Sequence, residues 1–151
     1  MTVIAAAFLS AVHVLTLALG LGAVVERGRA LSGLLDEAGW RRLLAADSLW
    51  GAAAGLWIVS GLARVFFGGK ESSFYWYNGF FWVKMALFAA VFAVEFRPMI
   101  TFMRVRVARR SGAPLPRFSV AGYRRLNHAE IVLVVIIVFV AALMARGAWL
   151  F

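Results

Sequence analysis

Four long apolar runs constrain the fold of this sequence more than any other feature. They cover about residues 3–25, 44–67, 80–103 and 127–149. Each is close to the 20 or so residues that a helix needs to cross a bilayer core about 30 Å thick. The sequence therefore predicts an all-α membrane protein, with one domain over residues 1–151 in which four transmembrane helices form an antiparallel bundle.

The composition agrees with a membrane protein. Hydrophobic residues make up 64% of the chain and charged residues 15%, whereas soluble domains are roughly half apolar and a quarter charged. The chain has no cysteine, which excludes disulfides and thiolate chemistry. The first apolar run lacks a basic n-region and a small-residue cleavage site, so we expect it to be a retained helix and not a signal peptide.

The distribution of arginines predicts the orientation in the membrane. Arginines crowd the first and third connections, whereas the second connection has only Lys70. The positive-inside rule then places the first and third connections in the cytoplasm and both termini on the periplasmic side of a bacterial inner membrane. This topology, with anionic lipid headgroups as partners, accounts for the net charge of +9 without nucleic-acid binding.

Two short patterns predict how the helices meet the membrane and each other. In "RALSGLLDEAGWRRLL", Leu31, Leu34 and Leu35 recur at helical spacing, which favours a short helix lying in the membrane interface. The segment "GAAAG" places Gly51 and Gly55 four residues apart, and this GxxxG pattern is typical of a close approach by a neighbouring helix.

Three basic or titratable residues in the outer half form the main candidate site. His13 lies in the middle of the first run, and Arg64 and Lys84 share one depth on successive antiparallel helices. Imidazole is a usual axial donor to haem iron, and two cations at one depth suit its propionates. The competing interpretation is a hydrogen-bonded neutral histidine with two long side chains that snorkel to the headgroups.

Further polar residues lie nearer the cytoplasmic side. Lys84 and Glu95 are separated along the third apolar run by about 16 Å and share nearly one face. Asp47 is expected to pair with Arg97 at a similar depth. His128 is interpreted as a capping residue or as a proton carrier at the cytoplasmic mouth. The secondary polar candidates are Asp47, Glu95, Asn127 and His128.

Several motifs resemble a known family. "RRLLAADSLWG", "GLARVFFGGKESSFYWYNGFFWVKMALF" and "ALMARG" resemble the bacterial integral-membrane family called domain of unknown function family 2214, over nearly the whole chain. That family has no assigned reaction, so the resemblance implies a membrane location and the number of helices.

A more distant resemblance suggests a cofactor. A histidine in the first helix, the lysine of "WVKMALF" and the entry "RRLN" are similar to HemJ-type protoporphyrinogen oxidases and to copper-resistance CopD-like proteins. His13, Lys84 and Asn127 match residues that the HemJ type is thought to need. Thr16 and His128 stand where that family has tryptophan and glutamate, so the resemblance implies a haem-binding scaffold more than the oxidase reaction.

These observations lead to one functional hypothesis and two alternatives. The hypothesis is a small inner-membrane protein that binds haem b or a related porphyrin through His13, with Arg64 and Lys84 near the propionates. It would serve electron transfer or porphyrin oxidation, with a second copy or a redox partner; whether it is an enzyme stays open. One alternative is an ion or metal transporter in which Asp47, Glu95 and His128 form a polar path and Lys84 is a gate. The other is a structural or assembly subunit that docks onto a larger complex through the aromatic outer loop and the small-residue helix faces.

Overall fold

The computed structural model describes residues 3–67 and 72–148, and every regular element in them is a helix. Four of the helices are long and apolar enough to cross a membrane, which confirms the predicted all-α membrane fold. Lys70, on which the predicted orientation partly depends, lies outside the described residues. The helices are α1 (Val3–Ser32), α2 (Glu37–Phe67), α3 (Ser72–Trp76), α4 (Gly79–Ser111) and α5 (Val120–Ala145).

The helices extend beyond the apolar runs at the arginine-rich end of the bundle. α1 continues to Ser32 and α2 begins at Glu37, so the predicted interfacial helix is wrong. Leu31 is instead a buried residue of α1. The chain turns just before α2, where the Asp36 carboxylate accepts a hydrogen bond of 2.7 Å from the backbone N–H of Gly39. This bond satisfies one of the free N–H groups at the start of α2.

The packing of the helices leaves one seam thinly filled. α1 packs along α2, α4 packs along α5, and α1 also contacts α5, whereas α2 and α4 touch each other only sparsely. An apolar cluster in the middle of the bundle joins all four spanning helices. It consists of Ala23, Val24, Trp50, Val91, Val134 and Ile137.

At the opposite end, Asn78 joins two parts of the chain. Its side-chain oxygen accepts a hydrogen bond of 2.9 Å from the backbone N–H of Phe80 and so caps α4. Its amide nitrogen donates a bond of 3.1 Å to the carbonyl oxygen of Ala148. Tyr75 and Phe81 pack inward beside it, so part of the aromatic outer segment belongs to the core of the bundle.

Candidate functional site

A crevice runs along the seam between α2 and α4. Its outer cavity of about 150 Å³ is lined by His13 of α1 together with residues of α2, α4 and α5. Its inner cavity of about 510 Å³ extends toward the arginine-rich end, as far as Asp47 and Arg106. Trp57, Ile58 and Phe88 line both cavities. The two cavities therefore adjoin each other along this seam, and we call them together the α2–α4 crevice.

The GxxxG pattern of α2 gives this crevice its width. A Cβ atom added at Gly51 or Gly55 would meet no atom within 4 Å, and both glycines line the inner cavity. The prediction that they bring a neighbouring helix close is therefore wrong within this chain. Close packing occurs at Gly20 instead, where an added Cβ would lie 3.2 Å from the Trp50 ring and 3.3 Å from Ala53.

His13 is held in a defined orientation in the outer cavity. Its Nδ1 lies 2.8 Å from the Ser60 hydroxyl oxygen, and that hydroxyl donates a hydrogen bond of 3.2 Å to the carbonyl oxygen of Trp57. A Ser60 hydroxyl that gives its one hydrogen to Trp57 can only accept from His13 Nδ1, and in that tautomer Nε2 keeps a lone pair. A histidine that binds a metal is typically oriented by its second nitrogen in this way.

The structure places the other outer candidates around His13. Lys84 lines the same cavity, and its Nζ lies 5.3 Å from the centre of the Phe81 ring, a cation–π distance. Arg64 does not line that cavity, but it is close enough for its positive charge to interact electrostatically with His13 and Lys84. Met85, a soft sulfur donor, shares the cavity with His13.

Trp57 leaves a hydrogen-bond donor unused beside this cavity. Its indole ring stacks at a tilt near His13, with 5.8 Å between ring centroids. Its Nε1 is buried and has no hydrogen-bond partner among the described residues. Buried donors are nearly always paired in folded proteins, so this N–H is an exception among the described residues.

A second site surrounds Arg27, whose side chain is 1% exposed. Its Nη1 donates to both carboxylate oxygens of Glu95, at 2.9 and 2.8 Å, and to Asp47 Oδ1 at 3.2 Å. Its Nη2 donates to Glu130 Oε2, and its Nε donates to Asn127 Oδ1 at 2.8 Å. One guanidinium therefore binds side chains from all three of the other spanning helices.

Arg106 is the second cation of this site. Its Nη2 donates to Asp47 Oδ2 at 2.7 Å, to the carbonyl oxygen of Leu44 at 2.9 Å and to the Ser48 hydroxyl at 2.9 Å. The predicted pair of Asp47 with Arg97 is therefore wrong, because Asp47 lies level with Arg106 and its two oxygens are occupied by Arg27 and Arg106. We call the assembled site the Arg27 cluster: Arg27, Asp47, Glu95, Arg106, Asn127 and Glu130.

The structure separates His128 from the other secondary candidates. Asp47, Glu95 and Asn127 meet in the Arg27 cluster, whereas His128 is exposed. It lines a groove between α1 and α5 at the arginine-rich end, with a volume of about 770 Å³. The charged residues that line this groove with His128 are the arginines Arg29, Arg124 and Arg125. His128 therefore lies outside the Arg27 cluster.

Three members of the cluster are not among the site residues predicted from the sequence: Arg27, Arg106 and Glu130. The two arginines were assigned to connections because the apolar runs end before them. The sequence does contain a signal for Arg27. The apolar residues Ala23, Val24, Ala30 and Leu31 recur around it at helical spacing, and all four are buried in α1, so Arg27 lies on the inner face of a helix longer than the apolar run. Glu130 follows Asn127 by three residues, and both are buried in α5.

The Arg27 cluster is not a metal site in its present form. Within the described residues, no three histidine, aspartate or glutamate side chains converge in a way that could hold a metal ion. The carboxylates surround the Arg27 guanidinium instead, as buried charges generally require a partner of opposite sign. The polar interior of this bundle is thus built largely from its own ion pairs.

Four spanning helices around buried charges and an apolar crevice define a multi-pass helical membrane protein with a polar interior. The chain belongs to the family described as "Predicted membrane protein (DUF2214)", which matches residues 5–148. No curated protein and no solved structure matches the chain with significance.

Proposed function

We propose that this protein binds haem b or a related porphyrin through His13 in the α2–α4 crevice, and serves electron transfer or porphyrin oxidation in the bacterial inner membrane. The observation that carries this proposal is the position of His13, which lines the outer cavity with Nδ1 2.8 Å from the Ser60 hydroxyl oxygen, a contact that suits the tautomer whose Nε2 lone pair can bind iron. Met85 lines the same cavity. Histidine and methionine are both established axial donors to haem iron.

The shape of the crevice supports a flat ligand. The outer cavity of about 150 Å³ is smaller than the roughly 300–1,000 Å³ of typical ligand pockets. A porphyrin must therefore extend into the inner cavity, which adds about 510 Å³. Gly51 and Gly55 line that inner cavity, and the aromatic rings of Trp57 and Phe88 line both cavities.

The charges near the crevice suit the acidic groups of such a ligand. Lys84 borders the outer cavity, and the nearby Arg64 adds a second positive charge. Carboxylates form strong, charge-assisted hydrogen bonds with both residue types. The bound cofactor would supply the redox chemistry, while the chain supplies the axial donor, the counter-charges and an apolar enclosure.

The resemblance to HemJ-type oxidases points to a similar scaffold, with differences in detail. Its matches at His13 and Lys84 both line the outer cavity. Its third match, Asn127, belongs to the Arg27 cluster, where it holds helices together. The departures at Thr16 and His128 favour a haem-binding scaffold without the specific oxidase reaction.

Optical spectra provide the test. The protein is purified in detergent and measured oxidised and dithionite-reduced, as isolated and after haem reconstitution. We expect a Soret band and reduced bands that are lost in His13→Ala. The matched control is His128→Ala, because the chain has only two histidines and His128 lies in a different groove. A wild-type protein that shows no Soret band after reconstitution would rule out haem binding.

The Arg27 cluster favours a second candidate function, the handling of ions. Ionisable residues inside a membrane commonly mark ion pathways, and here Glu95 and Asp47 line the inner cavity of the crevice. An ion flux measured in proteoliposomes, present in a protein without pigment and lost in Glu95→Gln, would favour this function over haem binding. Leu49→Gln, a change to an exposed apolar residue of α2, controls for a general effect of a membrane-facing amide.

The proposed orientation can be tested because the chain contains no cysteine. With both termini in the periplasm, Tyr77→Cys at the exposed outer segment should react with an impermeant maleimide on intact cells. Ser111→Cys, at the exposed end of α4, should react only after the membrane is opened. The reverse pattern would invert the proposed topology.

A further inference from the structure

The charges of the Arg27 cluster do not balance. It contains two guanidinium groups, on Arg27 and Arg106, and three carboxyl groups. If every group is ionised, one negative charge is left over. The carboxyl groups of Asp47, Glu95 and Glu130 are only 7%, 14% and 0% exposed. An uncompensated buried charge of this kind is costly, and one bound proton removes it.

The contacts identify which carboxyl group is least compensated. Asp47 receives hydrogen bonds from both arginines, and Glu95 receives bonds from Arg27 at both of its oxygens. Glu130 binds Arg27 through Oε2 alone. Its Oε1 is buried and has no hydrogen-bond partner among the described residues. The surplus negative charge is therefore least stabilised on Glu130.

We propose that Glu130 and Glu95 hold one proton between them on Arg27, and that this pair is a proton-binding site. The proton forms an O–H bond at Glu130 Oε1, and the Glu95 carboxylate, which binds the same Arg27 guanidinium, stays ionised. Binding consumes one hydronium ion and releases one water molecule. This inference is independent of haem binding; it deepens the second candidate function by naming the ion as a proton.

The groups around the pair come from every spanning helix. Arg27 of α1 stabilises the remaining carboxylate charge, and Asp47 of α2 and Arg106 of α4 neutralise each other. Asn127 of α5 uses both ends of its amide, since Oδ1 accepts from Arg27 and Nδ2 donates to the Val24 carbonyl oxygen. These hydrogen bonds of Asn127 go to Arg27 and Val24, and the bound proton compensates Glu130.

The cluster lies between two open spaces. On one side, Asn127 lines the groove of about 770 Å³ between α1 and α5 at the arginine-rich end. On the other side, Asp47, Glu95 and Arg106 line the inner cavity of the α2–α4 crevice. Of the pair itself, Glu95 lines the crevice, so we expect the proton to exchange through Glu95 from that side. This position is the one that a proton-handling site requires.

Infrared spectroscopy of the purified full-length protein tests for the proton. At neutral pH we expect a carboxylic acid C=O band that shifts in heavy water and is lost in Glu130→Gln. Glu95→Gln should also lose the band, because two carboxylates then balance two arginines. The matched control is Glu37→Gln, whose carboxylate is 71% exposed and whose loss should leave the band unchanged. A wild-type protein without the band, or a band unaffected by both Glu130→Gln and Glu95→Gln, overturns the proposal.

The dependence of stability on pH gives a second readout. Folding takes up a proton at this pair, so the wild-type protein should lose thermal stability as the pH is raised until the proton leaves. Glu130→Gln or Glu95→Gln, whichever folds, should flatten that decline. A decline of equal steepness in wild type and variant would contradict a bound proton.

A measurement of proton flux in proteoliposomes distinguishes the proton-binding site at Glu130 and Glu95 from the transport of protons. An infrared band that is lost in Glu130→Gln, in a protein that moves no protons, keeps the site and removes the transport candidate. A protein without the band loses the site, even if it conducts ions by another path.

Discussion

The two ends of the polar interior differ in how well their charges are satisfied. Around Arg27, every charged group of the cluster has a partner of opposite sign. Around His13, Lys84 lines an apolar cavity and has no carboxylate partner in the part of the chain that the structure describes. The inner site is completed by its own side chains and the one proton proposed at Glu130 and Glu95, whereas the outer site has cations that no acidic side chain among the described residues matches.

Because of this difference, we expect substitutions at the two sites to affect different properties, the stability of the fold at one and ligand binding at the other. Breaking a satisfied buried charge leaves its partners unpaired, so changes in the Arg27 cluster should destabilise the fold. Changes around His13 remove few internal contacts, so they should act mainly on a ligand. The four variants that follow test this division, beginning with the largest expected effect.

Arg27→Gln should be the most damaging substitution in the chain. It leaves Glu95, Asp47 and Glu130 without their shared cation, and losing one partner of a buried ion pair typically costs about 3–5 kcal/mol. Unfolding in detergent would measure the loss. The matched control is Arg29→Gln, because Arg29 is 76% exposed and should contribute less than about 1 kcal/mol. Equal effects of the two variants would contradict a structural role for the cluster.

Gly28→Ala should disturb the cluster without touching a charge. The new Cβ would lie 2.6 Å from Asn127 Nδ2, which is fixed by the hydrogen bonds of Asn127 to Arg27 and Val24. Displacing Asn127 should cost about 2 kcal/mol of unfolding free energy. At Gly22, an added Cβ meets no atom within 4 Å, so Gly22→Ala should be neutral or slightly stabilising, by up to about 1 kcal/mol. Thermal unfolding of both proteins compares them.

Gly55→Leu should fill the crevice and spare the fold. Because the space beside Gly55 is open, the leucine should abolish haem binding with little change in unfolding temperature. Gly20→Leu should behave oppositely, since it overpacks the contact with Trp50 and should cost about 1–3 kcal/mol. Pigment retention and unfolding are measured on both variants. Full haem occupancy in Gly55→Leu would place the ligand elsewhere.

Ser60→Ala should give the smallest effect. It removes the hydrogen bond that orients His13 and should weaken haem binding about ten-fold, as the loss of such an orienting partner often does. Haem titration followed by absorbance measures the change. Ser32→Ala, at the exposed end of α1, should leave the affinity unchanged. An unaltered affinity in Ser60→Ala would mean that His13 does not ligate the iron.

The sequence predicts the class of fold well because length and hydrophobicity decide whether a segment spans a membrane. It also places His13 and Lys84 in the same part of the bundle, because their depths follow from counting residues along helices. The Arg27 cluster is harder to predict, since it depends on where helices end and how they rotate. Arg27 and Arg106 lie beyond the apolar runs, and only the packed bundle shows that both point inward.

The GxxxG pattern is a second case in which the local sequence does not determine the packing. Two glycines one turn apart specify a flat helix surface, but local sequence does not specify whether a helix or an open space faces it. In this bundle, α2 packs on α1 and α4 packs on α5, while α1 and α5 contact each other. Gly51 and Gly55 of α2 therefore face the crevice and not a neighbouring helix.

The seam between α2 and α4 would also determine the route by which the proposed ligand reaches His13. Ile58 and Leu62 line the outer cavity and are 42% and 55% exposed on the flank of the bundle, where a folded membrane protein meets acyl chains. A hydrophobic molecule dissolved in the bilayer can thus enter sideways between two helices, without crossing water. The lipid phase would then be the supply route, and the ligand's partition coefficient would set how much of it the protein encounters.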